Sequence, residues 1–161
     1  MSHQSSVRIL VLDYDNAIRS QMAEAFLHRL GDGHLQVFSA GLAPNPIHPM
    51  TLEVMEEIGY DLAQQQSKSA RLFFGFGSFE VAILVSHPDE RECPRLFPGA
   101  LRIERWPNDN PLSGPGDVNL LRGRFRAVRD SIKSQAEAWW RDFSTNRTPH
   151  SMDRQLAAVG H

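Results

Sequence analysis

The sequence predicts an α/β fold, a three-layer sandwich built on a four-stranded parallel sheet. Short, mostly apolar runs alternate with stretches whose apolar residues recur at helical spacing. Glycine- and proline-rich breaks separate them. Strands alternating with helices call for right-handed crossovers, which place the strands parallel and bury both faces of the sheet.

Each element has its own signal. Residues 7–12 (VRILVL) form a strand buried on both faces. A polar loop covers 13–19. Residues 20–30 are helical, with Met22, Ala25, Phe26 and Leu30 on one stripe, and Gly31-Asp32-Gly33 stops them. A second strand spans 35–39 and ends at Ala40-Gly41. A proline-rich loop covers 43–49, and a second helix spans 50–58, stopped by Gly59. A short helix is expected at 69–74, a third strand at 81–86 and a fourth at 101–106. After the break Gly114-Pro115-Gly116, residues 118–143 form a long amphipathic helix with Leu121, Phe125, Val128, Ile132, Ala136 and Trp139 or Trp140 on its apolar stripe. Arg122, Arg124, Arg126 and Arg129 are its expected solvated face.

The 161 residues suit one domain over 7–143, with a flexible N-terminus at 1–6 and a polar, mobile tail at 144–161. A net charge of -2 leaves no basic footprint for nucleic acid. No apolar run is long enough to span a bilayer, and the first six residues lack the pattern of a secretory signal, so a cytoplasmic location is expected. The single cysteine, Cys93, rules out an intramolecular disulfide and a cysteine zinc cluster; alone, it reads as a small packed apolar residue. No metal and no cofactor are called for. The expected partner is a small molecule or a protein, with no membrane role.

Ligands of parallel sheets bind beyond the carboxyl ends of the strands, where residues 13–19 lie. His87 follows the third strand at the same end. His48 belongs to the proline-rich loop, and Trp106 is either a pocket wall or a core aromatic. Tyr14 is placed to fill the hole a ligand would occupy.

Several segments, in order, carry a resemblance over residues 7–140. Asn16-Ala17-Ile18-Arg19-Ser20-Gln21-Met22-Ala23-Glu24-Ala25 is similar to the end of a phosphate loop and the helix after it. Ser39-Ala40-Gly41 with Pro44, His48 and Pro49, then Gly59-Tyr60-Asp61 with Gln66-Ser67-Lys68-Ser69, follow as expected. Glu92-Cys93-Pro94, Phe97-Pro98-Gly99, Trp106 and Pro111 match the arsenate reductase branch. The chain resembles the low-molecular-weight protein tyrosine phosphatase and thioredoxin-coupled arsenate reductase family. In that family a cysteine opens the loop and an arginine closes it. Loop amides and a helix N-terminus hold the oxyanion and lower the thiol pKa, and an aspartate beside a proline protonates the leaving group.

The resemblance puts Asp13 in the cysteine's place, Asp15 where a glycine stands, and Arg19 in the anion-gripping position. Asn16 and Ser20 match the residues that support the loop and nucleophile. Asn110 precedes Pro111, so Asp109 is the neighbouring carboxyl group. Ser86 stands where the relay partner of Cys93 would be, which excludes thiol relay chemistry within one chain. Two carboxylates about 4 Å from an incoming anion each oppose it by roughly 4 kcal/mol at an effective dielectric near 20. Arg19 is therefore expected to pair with Asp13 or Asp15. The run Asp13-Tyr14-Asp15-Asn16 also resembles the first motif of haloacid dehalogenase-type phosphatases, although Ala17 replaces the preferred threonine or serine.

Two function readings follow. The first is a catalytically divergent member without thiol chemistry, its pocket retained for a small ligand or partner. The alternative is an active enzyme using Asp13 as carboxylate nucleophile or acid/base, with Arg19 orienting the substrate. Asp13, Arg19 and Asp109 are the candidate catalytic residues. Tyr14, Asp15, Asn16, Ala17, Ile18, Ser20, His48, His87 and Trp106 are the candidate ligand-binding residues.

Overall fold

The structure, a computed structural model, describes residues 6–146. The four strands are β1 (Val7–Asp13), β2 (Leu35–Gly41), β3 (Phe79–Ser86) and β4 (Ala100–Asn108). The helices are α1 (Arg19–Leu30), α2 (Pro49–Glu56) and α3 (Val118–Asn146), with a short 3₁₀ helix at Ala70–Phe73. The strands lie in the order β2-β1-β3-β4, all parallel. The expected mobility of 1–6 and 144–161 falls largely outside the described residues, although α3 carries regular helix three residues past the expected end at 143.

The two-residue period of β1 splits its side chains between two cores. Ile9 and Val11 join Val81, Ile83, Met22, Phe26, Phe125 and Ile132 beneath the three α-helices. Leu10 and Leu12 join Ala82, Leu84, Phe73, Phe79 and Phe97 on the other face. That face carries no α-helix among the described residues. Its covering layer is the 3₁₀ helix and a cluster of Phe38, Phe73, Phe76 and Phe79, edge-to-face in four of its pairs and stacked between Phe76 and Phe79. A fully buried side chain such as Phe125 contributes about 2–3 kcal/mol through removal of apolar surface from water.

Local chemistry sets the ends. His48 caps α2 by accepting the Met50 N–H at 3.0 Å, and Pro49 occupies the first turn, where its missing N–H costs nothing. The 29-residue α3 crosses α1 and α2. Its arginines are not all solvated: Arg122 pairs with Glu53 and Arg126 with Glu57, but Arg129 is buried and donates to the Val54 carbonyl at 2.9 Å. The expected arginine face thus includes one residue that ties α3 to α2, because its long side chain carries the charge back to helix α2.

Candidate anion site at the carboxyl end of the sheet

The loop after β1 turns directly into α1. No side chain caps the first turn of that helix from its N-cap position, Ile18. Asp13 does so from the end of β1. Its carboxylate accepts the Asn16 N–H at 2.7 Å with one oxygen and the Ser20 N–H at 3.0 Å with the other. An anion there suits the positive end of the helix. Asp13 is wholly buried.

Asn16 locks the loop. It is the one non-glycine residue with positive φ among the described residues, at 52°, a conformation asparagine tolerates better than most. Its amide nitrogen donates to Ser20 Oγ at 2.8 Å and Ser39 Oγ at 2.9 Å. Its side-chain oxygen accepts from Lys68 N at 2.8 Å and Gln21 Nε2 at 3.0 Å. Ser39 in turn donates to Glu24 at 3.1 Å, and burial pushes the Glu24 pKa up against the opposing charge of Lys68. The loop's outer side is held by Ala43 N on the Tyr14 carbonyl, Asn45 N on the Asp15 carbonyl, and His48 N and Thr51 Oγ1 on the Ala17 carbonyl. Gly41 permits this approach: a Cβ there would lie 2.7 Å from the Tyr14 carbonyl oxygen and 2.8 Å from Asn16 N.

Arg19 departs from expectation. It does not pair with Asp13 or Asp15. Its guanidinium grips Glu90 in a two-pronged pair: Nη1 donates to Oε1, and Nη2 to Oε2 at 2.9 Å. Nη1 also donates to the Asn108 carbonyl at 2.8 Å. A planar fork and a carboxylate match in this way whenever geometry allows, and Glu90 reaches the fork from a turn that Asp13, held by the loop amides, leaves free. Burial alone would lower the Arg19 pKa, but the bond and charge of Glu90 outweigh it and the pKa is raised. For Asp13 the balance runs the other way. Burial, then the charge of Asp15, push its pKa from 3.8 to about 6, opposed by the Ser20 amide and hydroxyl and by Arg19.

The other predicted residues separate into groups. Tyr14 and Asp15 are half-buried in the loop, and Asp15 accepts the Ala17 N–H at 3.3 Å. Ala17 and Ile18 are core residues, so they present backbone rather than side chain to the site. His48 is a helix cap with its ring 5.0 Å from that of Phe125, which accounts for it without a ligand. His87 does start the turn after β3, but its Nδ1 accepts the Asp89 N–H at 3.2 Å and shapes the turn. Trp106 belongs to the core beside Trp139, ring centres 6.5 Å apart, so core packing, and not a pocket wall, describes it. Asp109 is exposed and follows Asn108, whose carbonyl holds Arg19.

Sequence reasoning missed Glu90, Asn108, Gln21 and Lys68. Glu90 lies between Ser86 and Cys93, two positions already aligned with the relay, and that bracketing was its signal. The Ser86 hydroxyl is buried, 4% exposed, with no hydrogen-bond partner among the described residues. Cys93 donates to the Pro94 carbonyl at 3.3 Å. Burial and the charge of Glu90 push its thiol up, while Ser86 acts the other way from outside hydrogen-bonding geometry. Among the described residues, no group of three or more His, Cys, Asp or Glu is arranged to hold a metal ion, and no helix is long and apolar enough to cross a membrane.

A strand, a loop pinned by its own amides and a helix N-terminus with an arginine in its first turn define the architecture of an oxyanion cradle. The profile of the family described as low molecular weight phosphotyrosine protein phosphatase matches residues 8–149, and the chain belongs to that family. Arsenate reductase 2 of Staphylococcus epidermidis is 31% identical over 124 residues, covering 77% of this chain and 88% of that protein. A glutaredoxin arsenate reductase of Synechocystis is 32% identical over 127 residues, covering 76% and 87%. Among solved structures, an arsenate reductase in the phosphate binding state superposes with a TM-score of 0.68 at 27% identity, over 84% of this chain and 98% of that one.

Proposed function

We propose that this chain is a catalytically divergent member of its family that performs no thiol chemistry and uses the retained cradle to bind a small ligand or a partner. The observation that carries the reading is Asp13: its two carboxylate oxygens take the Asn16 and Ser20 amides, the kind of donors an incoming oxyanion needs. The cradle holds an anion already, and the anion is part of the chain. Glu90 on Arg19 repeats the arrangement at the arginine. Cys93 offers no substitute nucleophile, since its thiol is pushed up rather than down. We assign the protein to the cytoplasm, checked by fractionation of cells carrying a tagged copy.

One observation favours the rival enzyme: a carboxyl group titrating near 6 is poised for acid/base work at neutral pH. Against it stand the complete burial of Asp13 and the commitment of both its oxygens. The test is an assay of aryl phosphate hydrolysis and thiol-driven arsenate reduction with purified wild type and Asp13→Asn. The proposal expects no turnover from either protein. Turnover in the wild type that Asp13→Asn abolishes would establish the rival, and turnover that alkylation of Cys93 abolishes would contradict both.

A further inference from the structure

We infer that Glu90 is a gate: its carboxylate competes with external oxyanions for Arg19, and an oxyanion enters only when the turn at 87–92 swings away and carries Cys93 with it. The inference rests on the closed-cradle reading above and adds the moving part. Three observations support it. The pair with Glu90 satisfies both terminal nitrogens of Arg19, and no second carboxylate hydrogen-bonds to the fork. The turn is otherwise bonded within itself: Glu90 N to the His87 carbonyl, Asp89 N to His87 Nδ1, His87 N to Glu90 Oε1, and Cys93 N to the Glu90 carbonyl. Glu90 is thus its side-chain tie to α1. The two ends of the tie also differ in burial. The Arg19 side chain is 6% exposed and fixed by the Asn108 carbonyl, whereas that of Glu90 is 26% exposed and has water to move into.

Behind the gate the Ser86 hydroxyl waits without a partner, buried at the end of β3 where the turn begins. An oxyanion that displaced Glu90 would restore charge balance on Arg19 at the end of the sheet where Ser86 pairs in register with Asn108, whose carbonyl holds Arg19. A monoanionic or dianionic oxyanion fits these donors; a neutral ligand leaves Arg19 unpaired. The withdrawal also carries Cys93 toward water and relieves the burial that, ahead of the Glu90 charge, pushes its thiol up, so thiol reactivity reports gate position.

The test uses the full chain, inorganic phosphate as the probe, and iodoacetamide as the reporter on Cys93. Glu90→Gln keeps the shape and removes the charge; Glu90→Asp keeps the charge and shortens the reach. Calorimetric titration should show Glu90→Gln binding phosphate at least tenfold more tightly than the wild type, with Glu90→Asp between them. Adding Arg19→Gln to Glu90→Gln should abolish the gain. Phosphate at high concentration should accelerate Cys93 alkylation in the wild type severalfold. Equal phosphate affinity in the wild type and both folded Glu90 variants would overturn the gate. Phosphatase turnover by the wild type that is lost in Asp13→Asn would instead overturn the closed-cradle reading, without touching the affinity comparison.

Discussion

The loop after β1 and the turn after β3 share the carboxyl end of the sheet and are held in opposite ways. The first is anchored in the interior. Asn16 and Ser20 are completely buried, their polar atoms are matched, and backbone from residues 41–51 closes over them. The second bonds mostly to itself, leaves the Ser86 hydroxyl unmatched, and reaches the rest of the fold through Glu90. The difference separates two kinds of retention. The support of the cradle is a closed hydrogen-bond network, while carboxylates occupy the positions at its mouth: Asp13 on the loop amides and Glu90 on Arg19. Buried polar networks resist piecemeal change because each lost partner strands another group. Under the proposed function, the nucleophile position lies under no such constraint.

The strongest test of this contrast is Asn16→Ala. The change strands the Lys68 N–H, takes one of three acceptors from the Gln21 amide, leaves Ser20 and Ser39 short of a donor, and places alanine at positive φ. At about 1–3 kcal/mol for each stranded buried group, the total should reach about 4 kcal/mol. Urea unfolding would check it, and a loss below about 1 kcal/mol would show that the loop is far more forgiving than its bonding implies.

Acidity gives the next largest effect. A folded-state pKa raised from 3.8 to about 6 means that folding favours the neutral form of Asp13. Its contribution is fully present below pH 3.8 and is lost as the pH rises through 6, a loss of about 3 kcal/mol. Glu24 acts in the same direction and Glu57 in the opposite one, so the contrast with Asp13→Asn isolates the term. The variant sets an amide N–H against one of the two donors, costing about 1–3 kcal/mol, but carries no buried charge. It should therefore be less stable than the wild type at pH 4 and equal or better at pH 7. Parallel melting curves across that range would argue that Asp13 titrates normally.

Removing the tie should matter less. In Arg19→Met the Glu90 carboxylate turns into water, and only the Asn108 carbonyl is stranded. The expected loss is about 1–2 kcal/mol, well below that for breaking a pair with no route to solvent. A loss of 4 kcal/mol or more would mean that Glu90 cannot leave, and the gate would fall with it.

Much of this was legible in the sequence, and the exceptions have physical causes. Each strand was found from its apolar run, but β1, β2 and β4 were cut short at the carboxyl end, and β3 at its amino end. Asp13 and Gly41 read as breakers, yet they pair with each other in register as the last step of β1 and β2. The fourth strand was expected to end at Trp106, yet β4 runs on through Pro107 to Asn108; it is an edge strand, where proline's missing N–H need not break the ladder. The loop after β1 was legible from the ordered segments; the residues that reach Arg19 from elsewhere, Glu90 and Asn108, were not. Asp13 and Asp15 are near Arg19 in sequence, which favoured them, whereas Glu90 lies 71 residues away and arrives through the β3 turn. Charge balance could say that Arg19 needs a carboxylate, not which one.

The smallest expected effect is that of Asp13→Cys on phosphatase activity. The new thiol would sit at the N-terminus of α1 beside the Asn16 and Ser20 amides, an environment that lowers a thiol pKa. A nucleophile alone is insufficient. Arg19 would still be occupied by Glu90 and unable to grip the substrate. Asp15 would still stand half-buried in the loop, adding negative charge where a dianion must enter. Asn110, whose side chain accepts the Leu112 N–H at 3.0 Å, cannot protonate a leaving group. Asp13→Cys should therefore show no aryl phosphate turnover above background, and combining it with Asp15→Gly and Glu90→Gln should bring turnover into range. Adding Asn110→Asp should raise the rate a further ~10²-fold, the usual scale of a positioned general acid, while an aspartate there can still accept the Leu112 N–H. Full activity from Asp13→Cys alone would make Glu90 and Asp15 incidental. A folded quadruple variant with none would mean that the cradle's support has diverged along with its chemistry, and the contrast between loop and turn would no longer hold.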